Sequence, residues 1–361
     1  MTELEQRLLS VIQDAFPLEE RPYRRLAEML NAQEACAGGD ARGHLTEQAV
    51  FDAVENLRRS GVIRRIGGIY DSRRLGFISR LCAGKVTDLD KFASAVNEIP
   101  AITHNYVRSH EYNVWFTAIA ESEGEIRAIV DGVRAATDLH DVHILTATKK
   151  FKINTVMRVL KENEDSRLAS AMLASTTLST GTTSRGNDDQ GAQFKTALSS
   201  SDKARIRIAC DDIPHTLTPF ADWGVSCEAL RDDLVQKRMR RFGAILRHQD
   251  AGFAYNAMLC FKLDERLETK DERSVILSDP WKGESKDPAG AILANKPYIS
   301  HCYERPSFEG FPYTLYAMMH APSAEALDRY IREAAESIGN PEYVVLHSVH
   351  ELKKTSFRFF A

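Results

Sequence analysis

No stretch of about 18 apolar residues occurs in the chain, so no membrane-spanning helix is expected. The start, Met1 to Phe16, is acidic and amphipathic. It lacks the basic opening and apolar run of a signal peptide, so no secretory leader is expected either. No two of the six cysteines (Cys36, Cys82, Cys210, Cys227, Cys260, Cys302) stand at CxxC spacing. That argues against a zinc site or a disulfide framework and for a reducing, cytoplasmic setting, with the cysteines acting as small buried hydrophobes. A nucleotide-binding glycine motif is missing. So is an excess of base: the formal net charge is -4, whereas a general nucleic-acid binder is more often basic. What remains is an ordinary globular composition, 43% hydrophobic and 27% charged over 361 residues, enough for two or three domains.

The chain repeats itself. Arg64-Arg65-Ile66-Gly67-Gly68-Ile69 recurs as Arg240-Arg241-Phe242-Gly243-Ala244-Ile245, and Gly76-Phe77 recurs as Gly252-Phe253, all at an offset of 176 residues. Farther on, His104-Asn105-Tyr106-Val107-Arg108 recurs as His301-Cys302-Tyr303-Glu304-Arg305, at an offset of 197. The additional residues must lie between Phe253 and His301, and the charged, aperiodic segment 267–275 is the natural insertion. Between the halves, residues 170–201 are rich in Ser, Thr, Gly and Ala and read as a flexible linker.

Each half opens with helices. Leu4, Leu8, Leu9 and Ile12 share a helical face; a second helix starts near Pro22, and a third runs 46–59 with Thr46 as N-cap. With a short strand at 62–64 this predicts a winged helix-turn-helix. Residues 203–238 are a degenerate second version, interrupted by Pro214 and Pro219. The remainder of each half alternates strand, strand, helix, strand, strand, helix, strand, at 62–70, 77–86, 89–98, 102–108, 112–119, 124–136 and 141–148, and again from 239 to 350. That order suits a ferredoxin-like βαββαβ sandwich plus a wing strand, an α+β fold in tandem. The expected divisions are 1–61 winged helix, 62–164 sandwich, 165–202 linker, 203–238 degenerate helix-turn-helix and 239–361 sandwich.

The period of two places His104, Tyr106 and Arg108 on one strand face, and His301, Tyr303 and Arg305 likewise. Such a face is poor core material. It suits a binding site, an exposed sheet face or a dimer interface.

A winged helix joined to such a sandwich resembles the Lrp/AsnC regulators. The run Thr103-His104-Asn105-Tyr106-Val107-Arg108-Ser109-His110-Glu111-Tyr112-Asn113-Val114-Trp115-Phe116 is similar to the signature of one subunit type of siroheme decarboxylase. Ser300 to Pro306, followed by Phe311-Pro312-Tyr313, is similar to that of the partner subunit, with Phe311 where such subunits usually carry Trp. Glu351-Leu352-Lys353-Lys354 also fits. The resemblance covers nearly all of the chain except linker and insertion. It implies an enzyme, a carboxy-lyase, that converts siroheme to 12,18-didecarboxysiroheme on the way to haem or d1-type haem, with two subunit types fused.

Siroheme is a flat macrocycle rimmed with acetates and propionates. Its site needs cations at the rim, apolar or aromatic faces and a proton donor, because each lost CO2 leaves carbanion character to be protonated. On this footing His301, Tyr303, His104 and Tyr106 are the candidate catalytic residues. Arg305, Arg108, His110, Trp115, Tyr313, Lys152 and Lys353 are the candidate substrate contacts. His110 stands equally well as a hairpin cap, and Tyr112, Trp115 and Tyr313 as core. Lys149, Lys150 and Lys354 lie near the same ends and could also hold propionates, although a charge run is more often a solvated edge. His301 is expected to matter more than His104 for turnover, since Arg305, Pro306 and Tyr313 cluster behind it. No resident metal or cofactor is expected. The iron enters with siroheme, and His320, His347 and His350 are candidates to ligate it. Siroheme is the expected partner, with a possible homodimer and no membrane. Specific nucleic-acid binding is not expected, because residues 46–59 set Glu47, Asp52 and Glu55 against Arg58 and Arg59. A DNA-binding regulator and a haem sensor without turnover stand as alternatives.

Overall fold

Thr2 opens the first helix, α1 (Glu3–Ile12), with a capping box: its hydroxyl accepts from the Glu5 amide, and the Glu5 carboxylate accepts from the Thr2 amide. The computed structural model describes residues 1–36, 44–153, 156, 198–247, 249–263 and 288–360. Helix α2 (Pro22–Cys36) begins on a proline, whose missing N–H has no role in a first turn. Helix α3 (Glu47–Arg59) is capped by Thr46, as the sequence predicts. Then come β1 (Ile63–Tyr70), a short 3-10 turn closed by Gly76 at φ +88, and β2 (Ile78–Lys85). Helix α4 (Leu89–Asn97), β3 (Ile102–Arg108), β4 (Val114–Ala120), α5 (Glu123–Ala136), β5 (His140–Leu145) and β6 (Lys149–Ile153) complete the first half.

The second half follows the same plan. Ser199 and Asp202 form a capping box on α6 (Ser200–Ala209), so the linker expected to run to residue 202 ends before this helix. Linker residues 165–197 and the insertion at 267–275 lie outside the described residues. Helix α7 (Pro219–Trp223) is little more than one turn, which is where the prolines weaken the second helix-turn-helix; α8 (Cys227–Val235) follows. Next are β7 (Met239–Leu246), β8 (Tyr255–Phe261), α9 (Pro288–Ala294), β9 (Ile299–Glu304), β10 (Leu315–Ala321), α10 (Ala324–Ser337) and the long β11 (Tyr343–Lys354).

Both sandwiches form as expected, with strand orders β5-β2-β4-β3 and β11-β8-β10-β9. They do not stand apart. Strand β11 pairs with β8 through residues 343–347, then crosses to β3 through residues 348–354, and β6 of the first half pairs with β9 of the second. One nine-stranded sheet therefore runs through both halves. Its helix-covered faces bury two separate cores, and its inner faces meet in a third, where Ala83, Trp115 and Leu145 pack on Met258, Cys260, Tyr316 and Leu346.

The wing strands differ from the expected division. The boundaries at 61/62 and 238/239 put β1 and β7 with the sandwiches. Instead the two pair with one another, Gly67 opposite Gly243, as a ribbon inside a helical core built from α1–α3 and α6–α8. The repeated glycines make that ribbon possible. A Cβ on Gly67 would stand 2.4 Å from the Asp211 carbonyl oxygen, and one on Gly243 would stand 2.6 Å from that of Ile12. Each half thus lays its strand on the end of the other half's first helix. Asp233, fully buried, ties this region together by accepting from Tyr70 (2.9 Å), Arg205 (3.0 and 3.1 Å) and Arg238 (2.8 Å).

Candidate functional site

Strand period and register aim the repeated motifs. Tyr106 stands opposite Trp115, and Tyr303 opposite Tyr316; both partners belong to the core between the halves. His104, Tyr106 and Arg108 therefore face His301, Tyr303 and Arg305 across one interior. The Nδ1 of each histidine meets the hydroxyl of the preceding residue at 2.9 Å, Thr103 for His104 and Ser300 for His301, which leaves Nε2 for a ligand.

Both imidazoles are held neutral. Burial lowers the His104 pKa to about 3, helped by the positive charges of Lys354 and Arg64 and by His301. Burial likewise lowers His301 to about 4, with Arg240, Lys354, Lys152 and Arg305 adding to it. Lys354 sits near both histidines, and burial brings its own pKa down to about 8. Burial raises the phenols of Tyr106 and Tyr303; Glu351 raises Tyr106 further, whereas Arg305 and Arg240 oppose the rise at Tyr303.

The β1–β7 ribbon supplies cations to this interior. Arg64 donates to the Lys354 carbonyl (3.3 Å) and the Ser356 hydroxyl (3.0 Å) and is coupled to Glu351 and Tyr106. Arg240 pairs with Asp71 at 3.3 Å and is coupled to His301 and Tyr303. The second arginine of each pair is engaged by backbone around the ribbon. Arg65 donates to Gly68 O (3.3 Å) and shares the Ser356 hydroxyl with Arg64 (3.2 Å), and Arg241 donates to Ala244 O (3.3 Å) and to Gln13 O. So the repeated Arg-Arg divides into one site cation and one scaffold cation per half.

Other expected contacts are engaged by hydrogen bonds within the protein. Arg108, 5% exposed, donates to Leu346 O (3.2 Å) and Ser348 Oγ (2.6 Å); Arg305, 9% exposed, donates to Leu145 O (2.7 Å). Each guanidinium thus clamps the opposite half and lies over its own tyrosine ring, at 4.9 Å for Arg108 on Tyr106 and 5.0 Å for Arg305 on Tyr303. Lys152 donates to Lys296 O (2.7 Å), beyond the end of α9, and Lys353 donates to Asn97 O and Ile99 O (both 2.8 Å), at the end of α4. These ammonium groups serve helix ends, although Lys152 also acts on His301, and Lys354 lies near both histidines.

The aromatic and hairpin residues fill the far end of the interior. Trp115 is 1% exposed and donates to Tyr112 O (2.7 Å); its ring meets Phe311 at 5.6 Å and Tyr316 at 6.4 Å. Tyr313 packs edge-on against Phe311 at 4.9 Å. His110 accepts from the Tyr112 amide at 3.1 Å and so caps its hairpin. His347 and His350 are exposed, while His320 lies half-buried on β10. Cys302, like Cys82, Cys210 and Cys260, is buried and unbridged. Sequence reasoning missed Asp71, named Glu351 only within the Glu351–Lys354 run, and did not single out Arg64 or Arg240, although the repeated Arg-Arg was the signal for both. A cavity of about 640 Å³ elsewhere, lined by Phe77, Ile119, Ile129, Phe357 and Phe360, includes none of these site residues. No helix among the described residues is long and apolar enough to cross a membrane.

Comparison with known proteins places this geometry. An AsnC-like ligand binding domain profile matches residues 74–152 and 281–353, and a siroheme decarboxylase NirDL-like HTH domain profile matches residues 5–37. The chain is 25% identical over 366 residues to a siroheme decarboxylase of Hydrogenobacter thermophilus, covering 98% of this chain and 94% of that protein. It is 42% identical over 161 residues to a siroheme decarboxylase alpha subunit of Desulfovibrio desulfuricans, covering 44% of this chain and 85% of the relative. The crystal structure of the siroheme decarboxylase NirDL matches the whole fold with a TM-score of 0.61 at 24% identity, covering 99% of this chain and 95% of that one.

Proposed function

The chain belongs to the siroheme decarboxylase family, and we propose that it removes two acetate carboxyl groups from siroheme, as a carboxy-lyase with both subunit types in one polypeptide. The observation that carries this reading is the matched pair of His-x-Tyr strands facing one interior, with Arg64 and Arg240 brought to them by the ribbon.

Arg64 and Arg240 receive rim carboxylates of the macrocycle, for which a planar guanidinium is suited. In each acetate arm the bond between methylene and carboxyl carbon breaks. CO2 leaves, the electron pair stays on the methylene carbon, and one proton closes the methyl group. A histidine of the matched pair, His104 or His301, holds that proton. Burial and nearby cations keep both neutral. Incoming carboxylates offset that positive field and raise the imidazole pKa values, so the acid forms where it is needed. Tyr106 and Tyr303 add hydroxyl donors beside them. The reaction changes no oxidation state, so the protein requires no cofactor beyond the iron that siroheme brings. The setting is cytoplasmic, the product serves haem or d1-type haem synthesis, and pairing into a homodimer is compatible with the fused plan.

Anaerobic incubation of the purified protein with siroheme, followed by mass analysis, tests the reading. Loss of two CO2 per siroheme is the expected result. Siroheme that binds and is recovered intact would make the protein a sensor or carrier instead.

A further inference from the structure

The two strand pockets are copies with one charge pattern turned over. By register, Glu351 stands opposite Tyr106 on the neighbouring strand, and Lys150 stands opposite Tyr303. The carboxylate of the first pocket is thus an ammonium in the second. The ribbon inverts the other way. At the offset that relates Arg64 to Arg240, Asp71 corresponds to Arg247. Asp71 lies with Arg240 and Lys150, whose charges outweigh the effect of burial and lower its pKa, while Arg247 lies near Arg64.

The consequences differ for an incoming ligand. In the Tyr106 pocket the hydroxyl is hydrogen-bonded to the Glu351 carboxylate. The Glu351 Oε2 is buried without a hydrogen bond, 3.9 Å from the Lys354 ammonium. Lys354 in turn faces His104 in register. A carboxylate, a phenol, an ammonium and an imidazole therefore adjoin, which is a set of groups able to exchange a proton. In the Tyr303 pocket, Asp71 is occupied by Arg240 at 3.3 Å, and the strand side presents Lys150. That pocket attracts a carboxylate, and the acid near its phenol, Asp71, is already paired with Arg240.

Resting on the decarboxylase reading above, we propose that the pockets divide the work: the His104–Tyr106–Glu351 pocket protonates the arm that loses CO2, and the His301–Tyr303–Lys150 pocket grips a carboxylate that the step leaves intact. This reverses the order of importance expected for the two histidines from the sequence. The electron pair of the broken carbon–carbon bond takes its proton from His104, and Lys354 beside it returns one from solvent. Glu351 touches neither carbon nor CO2. It is a positioning residue that acts through Tyr106 and Lys354. The lowered pKa of Lys354, about 8, suits a group that gives up and regains a proton near neutrality.

The test compares Glu351→Gln, Glu351→Asp and Lys150→Gln in the full chain with siroheme, measuring dissociation constants by absorbance and saturated single-turnover rates across pH. Glu351→Gln should lower the saturated rate about 100-fold, a typical contribution of one positioned proton-transfer group. It should displace the alkaline limb of the pH profile while the dissociation constant moves less than about twofold. Glu351→Asp should restore part of the rate and the shape of the profile. Lys150→Gln should weaken binding about 10-fold, as loss of a charged hydrogen bond does, and leave the shape of the pH profile unchanged. The division of labour is overturned if Glu351→Gln acts on binding alone, if Lys150→Gln moves the pH limb, or if the variants behave alike. A parent protein that binds siroheme but releases no CO2 would refute the decarboxylase reading itself, which is a separate outcome.

Discussion

Replacing Arg305 with alanine distinguishes a clamp from a substrate contact. The guanidinium is 9% exposed and donates to Leu145 O at 2.7 Å across the interface between halves. Without it, that buried carbonyl is left unpaired, at a cost of about 1–3 kcal/mol. Its contacts over Tyr303 (5.0 Å) and Tyr316 (5.9 Å) are lost too, worth about 0.5–2 kcal/mol. Relief of a buried cation, whose pKa burial already lowers, works against these and returns about 1 kcal/mol. The net expectation is destabilisation of about 0.5–4 kcal/mol. Urea denaturation followed by tryptophan fluorescence should show a lower midpoint, because Trp115 lies in the same core. Arg108→Ala should behave the same way, through Leu346 O. Siroheme affinity, measured where the variant is folded, should change far less than stability. An unchanged midpoint with tenfold weaker binding would refute the clamp and return Arg305 to the rim of the substrate.

The Asp233→Ala variant leaves Arg205 and Arg238 without their fully buried partner and should lose about 3–5 kcal/mol, seen as a large drop in thermal midpoint. Gly67→Ala and Gly243→Ala drive a methyl group to 2.4 and 2.6 Å from a carbonyl oxygen and should each cost about 1–3 kcal/mol by the same assay. The unfolded histidines titrate at 6.5 and the folded His104 and His301 near 3 and 4, so between those values the unfolded chain binds more protons. Stability of the ligand-free protein should therefore fall as pH drops below 6.5, by up to about 1.4 kcal/mol per pH unit per histidine; denaturation at pH 7 and pH 5 measures it, and a His104→Asn, His301→Asn double variant should flatten the difference. A gel shift at physiological salt should show no sequence-selective nanomolar DNA binding.

The repeat made most of the fold legible. Apolar periods and caps such as Thr46 are local signals, and they located the first three helices and most sandwich elements to within a few residues, but not β6 (Lys149–Ile153) or the separate helices within 203–238. The pairing of β1 with β7 was not legible, because a strand's pattern does not say which partner completes its ladder. The glycines at 67 and 243 hinted only that something packs closely there. The His-x-Tyr-x-Arg face was legible through its period of two, but the division of labour along it was not. Arg108 and Arg305 read as carboxylate binders until Leu346 and Leu145, far away in sequence, appear beside them. Lys353 and Lys354 differ by one residue, and strand alternation alone does not say which one faces the interior.

The helical end shows what joining the halves does to a regulator-like architecture. A winged helix reaches DNA through its recognition helix and needs cations there for phosphates. In α3 the Arg58 side chain is only 5% exposed, and it pairs with Asp212 from the second half and with Glu55 on its own helix. His215, also from the second half, meets both Glu55 and Asp212. Arg59 turns to Asn56. The helix's two bases are thus engaged within the chain, and one of them joins the halves. Adhesion between the halves uses a charge that a DNA backbone would require, and the same adhesion helps hold the ribbon that carries Arg64 and Arg240 to the histidines. In this chain the winged helices support the site.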